Sequence, residues 1–506
     1  MTGLRMYAVE KSHVLSYASA ERSFFIDRFM SGINFCEDAR SRPGFDGALR
    51  QGEACCRTAR LAASCAPDRG RHDMYRLLAC LLTLFCLSPL PSDARERHAL
   101  EGTPCGGYPR LAIETIRGMC AGLVVGPTTQ DATRALRLPR SLLQLDAGTW
   151  LVTDLGAWEG ARGAVWKLRT GPDGSVEVAR VLDGLHLPHA IAKGPDGRVY
   201  VGEMSRIFRF DPDATVPADT VETVIDTLPD NRLHTHRHPL SKFVFLPGGD
   251  LLVNVGAPSD QCTGADARTA SGLCAQSEGD ADAASLRRYR HDGEGRWASD
   301  YAVFARGLRN SLALAVHASG TVLQGENSYD FDSRWSPFEE LNVIEAGRHY
   351  GWPYCADAAD ATPAWRDKAA WCRSDAHTAP ALLLPPHAAP LDMLWYDGAM
   401  FPALQGRLLM TWHGHRSVGG RIASFAVDAR GVPTPDANPR FPVYGQGARA
   451  YGASPAATPV VLTPGWGLSR GLRPQGSPVG LAVADDGAIW ATDDRAGLVI
   501  RFSKDD

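Results

Sequence analysis

An all-β chain folded as a six-bladed β-propeller is what the sequence predicts, and three observations predict it. A turn glycine followed by a short apolar strand recurs six times, at Gly148, Gly197, Gly249, Gly320, Gly406 and Gly487. Most of these hairpins are trailed by a second short strand ending on a basic or aromatic residue, as in Ile207-Phe208-Arg209-Phe210 and Val499-Ile500-Arg501-Phe502. The composition is rich in turn formers, with 51 glycines and 34 prolines in 506 residues. A hairpin that recurs at intervals of roughly 50 to 85 residues cannot bury both apolar faces alone, so the repeats are expected to stack radially as blades.

The elements follow in order. Each glycine opens a strand such as Thr149-Trp150-Leu151-Val152, Arg198-Val199-Tyr200-Val201 or Ala488-Ile489-Trp490-Ala491. Upstream of each glycine lies the expected innermost strand: Leu138 to Leu142, Leu187 to Ile191, His238 to Phe243, Leu308 to Leu312, Ala389 to Met393 and Ser477 to Leu481. Each has proline or polar residues near its start and an apolar residue at its end. Innermost strands of a radial fold line the central channel, so Arg140, His189, His238, Arg309 and Asn310 are expected to converge on one mouth of it. Two long inserts, Ala257 to Ala284 and Tyr354 to Pro386, are expected to wall a cleft.

The propeller is expected over residues 138–506, preceded by a lead-in over 95–137. Met74-Tyr75-Arg76, the apolar run Leu77 to Leu87, and small residues at Ser92 and Ala94 make the three parts of a secretory signal over 74–94. The run is too short for a bilayer, which takes about 20 residues. Residues 1–73 show no strand alternation and precede that signal, so they are expected to be a non-native or disordered leader, with translation starting naturally at Met74. Export is also the reading that the cysteines favour. Six of the twelve lie beyond Ala94 and form three sequence-local pairs, Cys105/Cys120, Cys262/Cys274 and Cys355/Cys372, expected as disulfides. Zinc is the rival reading, which the lack of a C-x-x-C pair disfavours. The location expected is periplasmic or secreted. A net charge of -4 with scattered basic residues argues against a nucleic-acid partner.

Three groups can carry chemistry. His234-Thr235-His236-Arg237-His238-Pro239 precedes the third glycine. A histidine near neutral pKa at a channel mouth can take a proton from an alcohol, and three in five residues can alternatively bind a metal or form a solvated loop. Gly325-Glu326-Asn327-Ser328-Tyr329-Asp330-Phe331-Asp332, with Glu339-Glu340-Leu341-Asn342 after it, offers the hard oxygen ligands calcium prefers, or else a solvated acidic loop. Arg309-Asn310 and His413-Gly414-His415-Arg416 offer cations that suit a polyanionic cofactor, or ordinary surface charge.

The ordered combination of His238 through Pro247-Gly248-Gly249, Ala305-Arg306-Gly307-Leu308-Arg309-Asn310, Gly325-Glu326-Asn327 and Tyr350-Gly351-Trp352-Pro353-Tyr354-Cys355 resembles the soluble pyrroloquinoline quinone (PQQ)-dependent sugar dehydrogenases. The likeness is closer to their glucose/sorbosone dehydrogenase branch, through Tyr350-Gly351-Trp352-Pro353-Tyr354-Cys355 and Pro385-Pro386-His387-Ala388-Ala389-Pro390-Leu391, and covers about Gly106 to Phe502. The resemblance implies PQQ and calcium as cofactors, a sugar as substrate and His238 as catalytic base. It implies Arg309 and Asn310 against the quinone, with His189 and Arg416 near further cofactor contacts. Ser328 and Tyr329 align with residues whose main-chain carbonyls hold calcium, with Glu326 and Asn327 beside them. The chain has no C-x-x-C-H haem motif, so electrons must pass to a separate acceptor. The glucose-specific enzymes carry an aspartate after the Val-Gly of the third blade to orient the base. Here Ala257 follows Val255-Gly256, so either Asp260 substitutes or the base lacks its orienter. A calcium-dependent propeller lactonase and a non-catalytic ligand-binding propeller are the alternative functions.

Overall fold

Among the described residues, short β-strands in six antiparallel sheets, one per repeat, make up most of the regular secondary structure. The computed structural model describes residues 100–126, 136–229, 236–333, 335–414, 418–434, 449–450, 459–464, 466 and 476–505, all within the unit Asp93–Asp506. The leader, the signal segment, His234 and Arg416 lie outside the described residues. Among the described residues helix is confined to short turns such as Ala275–Glu278 and Ala369–Cys372.

The first blade runs outward as Pro139–Asp146, Thr149–Asp154, Gly163–Thr170 and Val176–Leu185. The second is Ile191–Lys193, Val199–Gly202, Ile207–Phe210 and Glu222–Ile225. The third is Phe243–Phe245, Leu251–Val255, Ser285–Tyr289 and Ala302–Arg306. The fourth has Ala313–Val316, Val322–Glu326, Glu339–Ile344 and Leu382–Leu384, with Arg449–Ala450 added at its outer edge. The fifth is Pro390–Trp395, Leu408–Trp412, Arg421–Phe425 and Val460–Val461.

The sixth blade takes Pro478–Val483, Ile489–Asp493 and Leu498–Lys504 from the C-terminal end and its outermost strand, Met119–Val125, from near the start. That strand lies in the segment expected as a mere lead-in, so the propeller begins earlier than Leu138. The physical reason is edge closure. Without it the Leu498–Lys504 strand would present an unpaired row of backbone groups, and pairing the two ends of the chain removes that edge and locks the ring. Cys105–Cys120 ties the closing strand down, and Trp150 of the first blade stacks on Trp490 of the sixth at 4.2 Å across the seam.

The repeating glycines stand in the turns between the first and second strand of each blade. Five of them adopt positive φ, for example 81° at Gly197 and 95° at Gly249, where a Cβ would be strained. The second strands are buried on both faces because adjoining blades pack on either side, which is why they carry apolar runs such as Leu251-Leu252-Val253. Threonines on these strands stitch blade to blade: Thr153 Oγ1 donates to the carbonyl of His189 at 2.7 Å and Thr411 Oγ1 to that of Val479 at 2.8 Å.

The channel is not open along its length. Leu155, Leu187, Met204, Leu240, Leu312, Leu391 and Val479, with Leu138, form one apolar cluster to which every blade contributes. Lys242 of the third blade meets Asp392 of the fifth at 2.8 Å, an ion pair that links two non-adjacent blades. An apolar plug of this kind leaves a polar mouth above a dry floor.

Candidate active site

Every first strand leaves from the same end of the ring and every second strand returns to it, so the residues entering a first strand face those leaving a second. Main-chain bonds show this pairing: His189 N to Gly202 O at 2.9 Å, Asn327 N to Asn310 O at 3.3 Å, and His413 N to Ala389 O at 3.1 Å. The turn glycines occupy the opposite end. His189, His238, Arg309, Asn310 and Glu326 to Tyr329 therefore share one mouth, as the sequence predicts. The site residues of the second, third and fourth blades lie just before strands Ile191–Lys193, Phe243–Phe245 and Ala313–Val316 rather than within them, in entry segments free of ladder constraints.

His238 is buried, and its Nδ1 lies 2.6 Å from the carbonyl oxygen of Ala257. A carbonyl only accepts, so Nδ1 carries the proton and Nε2 of the neutral ring keeps its lone pair. Burial, then the nearby Arg309 charge, depress the His238 pKa well below 6.5 against the opposing pull of the Ala257 bond. The imidazole is thus oriented and neutral without a carboxylate. Gly256 makes the approach possible: a Cβ there would stand 2.5 Å from the His238 carbonyl oxygen and 2.6 Å from its Cβ.

Of the two alternatives for His238, the one in which Asp260 orients it is corrected. Asp260 Oδ1 accepts instead from Arg309 Nη2 at 2.7 Å and from the main-chain N of Asp330 at 3.1 Å. A guanidinium buried to 3% exposure demands a counter-charge more strongly than a neutral imidazole does. Arg309 also donates to Asp330 Oδ2 at 3.2 Å and to the carbonyl of Asn327 at 2.8 Å, while its Nε is buried with no partner among the described residues. The Arg309 carbonyl accepts from Ala257 N at 2.8 Å, so Ala257 joins the His238 ring and the Arg309 main chain through its own peptide groups.

His189 is held in the opposite tautomer. Arg140 Nε donates to its Nδ1 at 3.2 Å, which places the ring proton on Nε2, and that nitrogen is buried without a partner among the described residues. Burial first, then the charges of Arg140 and Lys242, push its pKa well below 6.5. Arg140 is tied to Asp494 at 2.5 Å, and Asp494 to His413 Nε2 at 2.9 Å. His413, Arg140 and Arg495 outweigh burial and keep the Asp494 carboxyl below its ordinary pKa.

The acidic loop is engaged with its surroundings. Glu326 accepts from Asn310 N at 2.8 Å and Gln324 Nε2 at 2.9 Å, and Asn327 Nδ2 donates to the Pro390 carbonyl at 2.7 Å. Tyr329 is buried with its hydroxyl on the Cys355 carbonyl at 2.7 Å, and Ser328 N donates to Glu339. No hydrogen bond reaches the carbonyls of Ser328 or Tyr329 from the described residues. Burial raises Glu326 to about 7 and Glu339 to about 8. Among the described residues no three His, Cys, Asp or Glu side chains converge as a metal site. A cation here would have to rest chiefly on main-chain oxygen.

The inserts form one wall. Cys262–Cys274 and Cys355–Cys372 are both formed, in the pairing the sequence predicts. Ala257, Tyr329, Trp352, Tyr354 and Trp365 join them in a shared apolar cluster, and Trp352 Nε1 donates to the Asp260 carbonyl at 2.9 Å. Sequence reasoning missed the clamp on Arg309, the Arg140–Asp494–His413 chain and the buried state of His236. Asp494, directly after a second strand, carries the only local signal for the second of these.

The match of a family model to this six-bladed chain gives its class, the propeller oxidoreductases of the PQQ-dependent sugar dehydrogenase kind. Within it the chain belongs to the TrAA12-like family, whose model matches residues 123–443. Among solved structures it is similar to a Trichoderma reesei Carbohydrate-Active Enzymes Family AA12 protein, solved in iodide and calcium forms. Identity is 18%, the match covers 78% of this chain and 98% of that one, and the TM-score is 0.57. It is also similar to the holo form of the Pyranose Dehydrogenase PQQ domain from Coprinopsis cinerea, at 18% identity over 80% of this chain and 100% of that one, TM-score 0.56. No curated protein matches the chain.

Proposed function

We propose that the protein oxidises a sugar hydroxyl at the propeller mouth, using PQQ and calcium, and hands the electrons to a separate acceptor. The observation that carries this reading is the His238 ring, whose Nδ1 is committed to Ala257 and whose Nε2 is left as a base beside Arg309. The residues fit an anionic quinone: buried Arg309 Nε and His189 Nε2 are donors with no acceptor among the described residues, and they lie at the same mouth. Arg309, Asn310 and His189 would hold it, and Arg416 is proposed as a further contact. When bound, the quinone supplies a carbonyl carbon able to accept hydride.

His238 Nε2 takes the proton of the sugar hydroxyl as the hydride leaves the adjacent carbon, and Nδ1–H stays on the Ala257 carbonyl, so the ring does not turn. The imidazolium that forms stands near Arg309, whose charge Asp260 and Asp330 already offset. The apolar ring beneath the mouth keeps water from entering along the axis. Calcium would rest on the carbonyls of Ser328 and Tyr329, with Glu326 and Asn327 shaping the loop, and it would supply Lewis-acid polarisation. The calcium form of the AA12 protein supports that choice.

Three disulfides and the signal-like stretch from Met74 to Ala94 support export, to a periplasmic or secreted location. No helix among the described residues is long and apolar enough to cross a membrane. The test is to incubate the protein with calcium and PQQ and follow dye reduction over a panel of aldoses. Sugar-dependent dye reduction is the expected result. Absence of quinone binding together with lactone cleavage would point to the hydrolase instead.

A further inference from the structure

We propose that His236 is a substrate-binding residue, whose imidazole grips one hydroxyl of the sugar as donor and acceptor together. The inference rests on the sugar-oxidising reading above. His236 is only 8% exposed, and neither of its ring nitrogens has a partner among the described residues. Burial alternates along this entry segment. His236 and His238 face inward, and Arg237 between them is exposed and paired with Asp330 at 2.7 Å. His236 is close enough to His238 to bear on its protonation. The ring thus sits two residues before His238, on the same buried side of the segment that enters the third blade.

A buried imidazole with two unmet hydrogen bonds destabilises the fold unless a ligand supplies them, and such groups call for a functional explanation. The chemistry of the partner follows from the ring's state. Burial lowers its pKa to about 4, so near neutral pH it is uncharged, with one N–H and one lone pair. A quinone carboxylate can only accept and a metal ion can only take lone pairs, so each would use one of the two nitrogens. A sugar hydroxyl donates and accepts, and a polyol can satisfy both. No carboxylate or cation pairs with His236 among the described residues, which suits an uncharged partner.

The test uses the full chain with His236→Leu, which removes both bonds, and His236→Asn, which keeps a donor and an acceptor. Quinone affinity is titrated optically. Sugar affinity is measured calorimetrically without quinone for glucose, galactose, mannose and xylose, then for the monodeoxy analogues of the tightest binder. The Leu variant is expected to weaken sugar binding and raise KM about 10- to 100-fold, with quinone affinity unchanged and the Asn variant largely restored. One deoxy analogue is expected to bind the wild type and the Leu variant equally weakly. Unchanged sugar affinity in the Leu variant, a parallel loss of quinone affinity, or no sugar binding to the wild type would each overturn the proposal. Sugar binding that depends on His236 without any oxidation would instead sink the dehydrogenase reading and leave this one standing.

Discussion

Arg309 and Asp260 stand 2.7 Å apart at the propeller mouth, joined across 49 residues of sequence. The contact anchors the insert that starts at Ala257 to the entry of the fourth blade, and it leaves the guanidinium largely neutralised before any ligand arrives. Removing one member of a buried pair typically costs about 3–5 kcal/mol, and Asp330 shares this load, so Asp260→Ala is expected to destabilise the protein by about 2–3 kcal/mol in denaturant titration. Sugar oxidation should fall at least about 10-fold, because Arg309, left to Asp330 alone as counter-charge, shifts toward it. The sign with pH is fixed too. Burial raises the Asp260 pKa, but Arg309, Gln261 and the Asp330 amide outweigh it and leave it lowered. Its stabilising contribution is present above the unfolded carboxylate pKa and lost as pH falls through the lower native one.

Acid should destabilise the mouth through its histidines. Burial holds His189, His236 and His238 below 6.5, His236 at about 4. Below about pH 6.5 the unfolded chain binds protons that the native rings refuse, so stability drops from there toward pH 4. Thermal melts from pH 8 to 4 should show that fall, and a triple His→Gln variant should flatten it. In the same way the acid limb of the oxidation profile should lie below the usual histidine range, since His238 stays basic there.

Gly256→Ala tests how closely the base is placed. The added Cβ has only 2.5 Å to the His238 carbonyl, which is main chain and cannot swing aside. The entry segment must shift, and a base displaced by about 1 Å can cost about 100-fold in kcat. Steady-state kinetics should show that drop with quinone affinity retained. An unchanged kcat would mean that the segment slides without moving the ring.

Reduction should loosen the wall before the ring. Cys262–Cys274 and Cys355–Cys372 close short loops in the cluster that packs on Tyr329 and Trp352. Each closure of this length contributes about 3 kcal/mol in the chain-entropy account. The Cys262→Ser/Cys274→Ser pair should lower Tm and sugar oxidation together, with far-ultraviolet circular dichroism unchanged.

A chain shortened to begin at Leu138 lacks Met119–Val125 and exposes the edge of Leu498–Lys504. It is expected to aggregate, as an open β edge recruits other strands. Size-exclusion chromatography beside a chain beginning at Arg95 would show the difference, and a monodisperse shortened chain would refute the closure.

The amino-acid sequence by itself determined the repeat, the hairpin turns, the disulfide pairing and the set of residues that enter the first strands. These are local matters: Gly197 or Gly249 is required by positive φ, and apolar runs such as Leu251-Leu252-Val253 are required by burial on two faces. The same localness hid the closing strand, because nothing in Met119–Val125 names Leu498–Lys504 as its partner. The roles inside the site were decided by tertiary structure alone. Whether Asp260 serves His238 or Arg309 depends on which charge burial penalises more, and the guanidinium wins. Which nitrogen of His238 or His189 is basic depends on whether Ala257 O or Arg140 Nε faces Nδ1. Those pairings appear only when radial closure brings blades remote in sequence to one mouth.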